Sequence, residues 1–181
     1  LSDHDESIHA ITRSTPQRLE KNDYPSHAER MSNDPLARYA ALLEILDRER
    51  LDELCALVSD DVHYRDPFND CHGRKAFRAV FSDMLNKLEE VNFEVIERAW
   101  TRCNGDAGVS VALIRWQMNA RLAALGNQSW SVPGCSEVHF TANGLVSAHL
   151  DYWDAAGQLY EKLPFLGRCL RALRHRLRTD T

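Results

Sequence analysis

The chain has 181 residues, enough for one domain, and its 44% apolar content is ordinary for a protein with a single core. The net charge is −5, but six basic residues from Lys162 onward meet one acid, Asp180, so the end carries +5 and the remainder −10. An acidic body argues against nucleic acid as the main partner. Cys55, Cys71, Cys103, Cys135 and Cys169 are widely spaced and form no Cys-x-x-Cys pair, which argues against a disulfide framework or a zinc knuckle and makes a reducing cytoplasm the simplest location. No apolar run reaches the roughly 18 residues of a membrane span.

Residues 1–30 are polar, carry Pro16 and Pro25 and lack apolar periodicity. They read as a disordered arm or a non-native extension, with Met31 a sensible start. The domain is expected over residues 31–160. Asn33 or Asp34 can cap a helix with Pro35 in its first turn, and Leu36, Tyr39, Ala40, Leu42, Leu43 and Leu46 recur at helical spacing. A second helix carries Leu51, Leu54, Cys55, Leu57 and Val58 and is expected to break at Asp60-Asp61. Val62 to Asp66 alternates and reads as a short strand stopped by Pro67. A third helix is expected over Gly73–Leu88.

From Val91 the period changes to two. Val91–Cys103, Ala107–Ala120, Ser129–Thr141 and Leu145–Asp154 read as long strands. Asn104-Gly105-Asp106 and Ala142-Asn143-Gly144 supply the positive φ of tight hairpins. Helices followed by an antiparallel meander give an α+β domain, with the curved antiparallel sheet expected to wrap around the N-terminal helices. Residues 161–181 form a basic amphipathic terminal helix striped by Leu166, Leu170, Leu173 and Leu177. It reads either as a membrane-surface contact or as a helix packed on its own domain with a solvated arginine face.

This order, with Asp60-Asp61-Val62-His63-Tyr64-Arg65-Asp66-Pro67-Phe68, His72-Gly73-Arg74 and the closing Leu150-Asp151-Tyr152-Trp153, resembles the nuclear transport factor 2-like superfamily. The resemblance runs from about Pro35 to Leu177 and is strongest to the SnoaL-like and ketosteroid isomerase-like branch. It implies the cone-shaped fold, a homodimer, and an apolar pocket that binds a small molecule. In the isomerases the aspartate of the Asp-Pro pair is a general base, which would be Asp66. Burial in an apolar pocket raises a carboxyl pKa and makes a better base. As a plain residue, Asp66 also reads as a turn former, because Asp-Pro commonly starts turns.

The isomerases pair that base with a tyrosine on the first helix and a protonated aspartic acid on a long strand. The corresponding positions here hold Leu42 and Ser136, with Tyr39 one turn from Leu42 on the same helix face. The isomerase oxyanion pair is thus missing. If Trp153 faces the pocket, as its isomerase counterpart does, His149 and Asp151 share that face by alternation and can form a proton relay with Asp66. They can equally make a structural hydrogen bond and an ion pair. Tyr39, Leu42, Tyr64, Ser136 and Trp153 are the expected pocket wall, with Leu150 and Tyr152 on the outer face. His63, Arg65, Asp70, Cys71 and His72 cluster around the same loop but lack a metal-binding spacing, and no cofactor is implied. Two readings follow: a cofactor-free isomerase, cyclase or hydrolase using acid–base chemistry, or a non-catalytic ligand-binding or accessory module.

Overall fold

The computed structural model describes residues 34–102 and 109–177. Helix α1 (Pro35–Glu44) begins as its sequence dictates: the Asp34 side chain accepts from the Leu36 amide at 3.1 Å and Pro35 occupies the first turn. Helix α2 (Leu51–Ala56) leads into strand β1 (Val58–Arg65) and the short strand β2 (Asp70–His72). Helix α3 (Arg74–Lys87) follows, then the long strands β3 (Leu88–Arg102), β4 (Ser110–Leu122), β5 (Gln128–Phe140) and β6 (Val146–Tyr152). Short helix α4 (Ala155–Gln158) and a 3₁₀ turn (Tyr160–Lys162) connect to α5 (Leu166–Leu177).

The strands form one six-stranded sheet in the order β2-β1-β6-β5-β4-β3. β3 to β6 are the expected antiparallel meander, and β1 lies parallel to β6. The sheet is curved and unclosed, with the N-terminal helices against it. Register shifts after Glu89, Val95 and Trp100 put bulges in β3, which bend a strand and increase its twist. Alternate residues of β4 and β5 (Ala112, Ile114, Trp116 and Met118; Trp130, Val132 and Val138) face a common core with Tyr39, Leu43 and Leu54 of the helices and Phe77 of α3.

Two differences from the sequence reading shape the site. Asp60 and Asp61 do not break a helix; they lie within β1, on exposed positions of a strand whose Val58, Val62 and Tyr64 are buried. β2 is an element of its own, pairing His63 with His72 and Arg65 with Asp70. The turn at Asn143-Gly144 is present, with Gly144 at φ +77°. The expectations for residues 1–30 and for the Asn104-Gly105-Asp106 turn lie outside the described residues.

Candidate functional site

The two-residue turn Pro67-Phe68 joins β1 to β2, and Asp66 starts it. Its Oδ1 accepts from the backbone amides of Phe68 at 2.7 Å and Asn69 at 2.6 Å, and the Asn69 side chain donates to both carboxylate oxygens at 3.0 Å. This is an Asx turn; the side chain satisfies backbone donors that the tight turn leaves free. Asp66 therefore anchors the hairpin tip, and it also borders a cavity of about 320 Å³ inside the curved sheet.

The walls of that cavity are mainly apolar, among them Phe81, Met84, Phe93, Trp116, Trp130 and Trp153. Among its polar lining residues, Tyr64, Asp66, Asn69 and Asp151 are joined by hydrogen bonds, while Asp83 and Lys87 of α3 pair with each other. This is the usual make-up of a small-molecule site: a hydrophobic enclosure with a few placed polar atoms. Three of the four tryptophans of the chain line it; the fourth, Trp100, stacks edge-on to Phe140 with ring centroids 5.0 Å apart.

Asp151 lies at the centre of a hydrogen-bonded chain that crosses four strands and a helix. Its Oδ1 accepts from Ser136 Oγ at 2.5 Å and meets His149 Nε2 at 2.8 Å, and its Oδ2 accepts from Tyr64 Oη at 3.0 Å. Behind it, His149 Nδ1 meets the Tyr39 hydroxyl at 2.6 Å. Beside it, Trp116 Nε1 donates to Ser136 Oγ at 2.8 Å. The strand register explains the convergence: Asp151 is opposite Ser136, His149 is opposite Val138, and Tyr64 on β1 is opposite His149.

His149 Nε2–H donates to an ionised Asp151, and the direction of the Tyr39–His149 bond follows the protonation of Nδ1. Burial pushes the Asp151 carboxyl up, but the His149 charge and the hydrogen bonds from His149, Ser136 and Tyr64 outweigh it and hold the carboxyl below its ordinary range. Burial, with the neighbouring Asp151 charge, holds the Tyr39 and Tyr64 hydroxyls well above theirs, so both stay protonated. Tyr64 has a single proton but two carboxylates in reach, Asp151 and, at 3.1 Å, Asp66. It links the hairpin tip to the buried chain.

Of the residues singled out from sequence, Asp66, Tyr64, Asp151 and Trp153 line the cavity. His149 is 3% exposed and stands behind Asp151 rather than at the cavity surface. Tyr39, Leu42 and Ser136 are buried and support the site from the core instead of forming its wall. Leu150 is half-buried and Tyr152 exposed, bonded to Arg65 at 3.2 Å. The role of Trp116 had no sequence signal, because it depends on which residue β5 places opposite β4.

A family model, the SnoaL-like domain, matches residues 39–149, more than half of the chain. The chain belongs to the SnoaL-like domain family. It has the nuclear transport factor 2-like, ketosteroid isomerase-like fold of that family, as its structural neighbours show. A protein of unknown function with this fold from Exiguobacterium is 17% identical, covering 66% of this chain and 98% of its own at a TM-score of 0.53. A hypothetical protein with a ketosteroid isomerase-like fold from Catenulispora acidiphila, in complex with trimethylamine, is 15% identical over 70% of this chain and 90% of its own, TM-score 0.56. SalBIII, an epoxide hydrolase/cyclase-like enzyme in pyran ring formation in the polyether salinomycin, is 14% identical over 71% and 93%, TM-score 0.54. At such identities the likeness carries the fold. No curated protein matches the sequence.

Proposed function

We propose that this SnoaL-like domain binds an apolar carbonyl- or epoxide-bearing small molecule in its cavity and moves a proton on it, with Asp151 as the group that meets the ligand. One observation carries this reading: a carboxylate held ionised at the wall of an apolar cavity, with His149 and Tyr39 hydrogen-bonded in series behind it. A carboxylate at the wall of an apolar cavity can take a proton from the ligand, and the imidazole behind it can share that proton. Asp66 is the second carboxylate of the site, in contact with Asp151 through the Tyr64 hydroxyl. Cyclase- and epoxide hydrolase-type chemistry on the same fold in SalBIII fits this class of reaction.

A second reading is a ligand-binding module without turnover. Its support is also specific: Asp66 is occupied by the donors of its own turn, and both oxygens of Asp151 already accept hydrogen bonds. The two readings part on one experiment. Small molecules that co-purify are identified by mass spectrometry, and turnover is followed for wild type, Asp151→Asn and Asp66→Asn. Asp151→Asn should lose about 10²-fold or more in rate while ligand still quenches tryptophan fluorescence, and Asp66→Asn should lose less. Unchanged turnover in Asp151→Asn would remove the catalytic assignment, and binding without turnover in wild type would favour the second reading.

A further inference from the structure

The β1–β2 hairpin carries a second constellation on its outer face. His63 and His72 are register partners, and their rings stack with centroids 4.2 Å apart and planes 12° apart. Backbone bonds from Gly73 to Val62 and from Asp66 to Asn69 flank them. His63 and His72 are thus a non-hydrogen-bonded cross-strand pair, the kind with the closest side chains. Asp70, two residues before His72 on the same face, meets His63 Nε2 at 2.7 Å. One ligand atom from each of the three side chains lies within 4.8 Å of the other two.

We propose that His63, Asp70 and His72 form a binding site for a divalent transition-metal ion of the zinc class. Two imidazole nitrogens and one carboxylate oxygen suit Zn²⁺, Ni²⁺ or Cu²⁺, whereas Mg²⁺ and Ca²⁺ prefer oxygen ligands. Ligand bonds of about 2.0–2.2 Å require the three atoms to draw closer than they stand. The side chains have that freedom: His63 is half-buried, and Asp70 and His72 are exposed. A metal on either imidazole takes the place of any proton on the ligating nitrogen. Arg65, a cation on the same face, is engaged with the Tyr152 hydroxyl at 3.2 Å, its guanidinium 5.9 Å from that ring's centre. Three protein ligands leave the remaining positions to water.

The ion would clamp the two stems of the hairpin whose tip, Asp66 to Asn69, borders the cavity.

The test is Zn²⁺ titration of the chelator-stripped full chain against a chromophoric competitor at neutral pH, with Mg²⁺ in large excess. Wild type should bind one Zn²⁺ per chain that the double variant His63→Ala/His72→Ala does not. His63→Ala and His72→Ala should each weaken binding at least about tenfold, and Asp70→Asn should weaken it less. Circular dichroism checks that these variants keep the fold, which their position on the outer face predicts. The double variant retains the other six histidines of the chain and so reports binding elsewhere. Equal stoichiometry and affinity in wild type and double variant would overturn the proposal, as would displacement of Zn²⁺ by Mg²⁺ or no stoichiometric binding by wild type.

Discussion

Tyr64 is where the two halves of the site meet. It is 4% exposed, packs edge-on against Phe77 and Phe81, and shares its single proton between Asp66 and Asp151. Tyr64→Phe keeps the ring and removes only the hydroxyl, so the packing survives and the link does not. A hydrogen bond to a charged group contributes about 1.5–3 kcal/mol, and urea unfolding of this variant should show a loss of that order. Asp151 then has one donor fewer, and its carboxyl should titrate nearer the ordinary carboxylate range. Carbon-13 NMR of the carboxyl groups reads this directly. An unshifted Asp151 titration would mean that Tyr64 serves Asp66 alone.

At the scale of elements, β4 and β5 hold the site through one close approach. Gly134 lies opposite Trp116, and a Cβ built on it would stand 2.3 Å from the indole ring. Only glycine lets the ring lie flat on β5, where its Nε1–H reaches Ser136 and orients that hydroxyl onto Asp151. Gly134→Ala should push the ring into the cavity, destabilise the fold by about 1–3 kcal/mol and change the tryptophan fluorescence. An unaltered spectrum at wild-type stability would show that β5 yields instead. The terminal helix α5 is held differently. Gly167 packs against the Glu161 carbonyl, and Arg174 pairs with Glu161 at 2.9 Å and Asp154 at 3.4 Å, so a polar edge faces the domain. Leu166, Leu173 and Leu177 are 44%, 55% and 77% exposed. Leu173→Ser with Leu177→Ser should therefore change stability by no more than about 0.5 kcal/mol, whereas Arg174→Ala should speed amide exchange throughout α5. A large loss in the leucine variant would mean that the stripe is covered.

These elements also show what the sequence could and could not say. The long strands were legible because one face is apolar and the other polar, which imprints a period of two. Asp60-Asp61 misled because two acids in succession suggest a turn, while a strand whose outer positions meet solvent tolerates them. β2 is three residues long, too short for any period. Within the site, the parity of His149, Asp151 and Trp153 was legible along one strand. That Ser136 stands against Asp151, and Tyr39 beneath His149, depends on register and helix placement, which no local pattern encodes.

Across the whole molecule, the buried chain from Tyr39 on α1 to Trp116 on β4 ties the helix layer to the sheet, and it makes folding sensitive to pH from both sides. The Asp151 carboxyl has a folded pKa below its unfolded value of about 3.9. Its contribution is complete above that value and is lost as pH falls through the folded pKa, because the unfolded chain takes the proton first. Tyr39 and Tyr64 have folded values above the unfolded value of about 10. Their contribution is complete below that value and is lost as pH rises from there towards the folded pKa, because the unfolded chain releases the proton first. Each such group can tilt stability by at most about 1.4 kcal/mol per pH unit. Denaturation midpoints measured from pH 2 to 11 should thus form a plateau with a falling limb at each end. Asp151→Asn should flatten the acid limb and, by removing a charge that raises both tyrosines, make the alkaline one shallower; Tyr39→Phe should make the alkaline limb shallower, with Tyr64 still contributing, and leave the acid one. If each variant lowered the plateau yet kept both slopes, the limbs would belong to surface charge, and the buried chain would hold the fold without coupling it to protons.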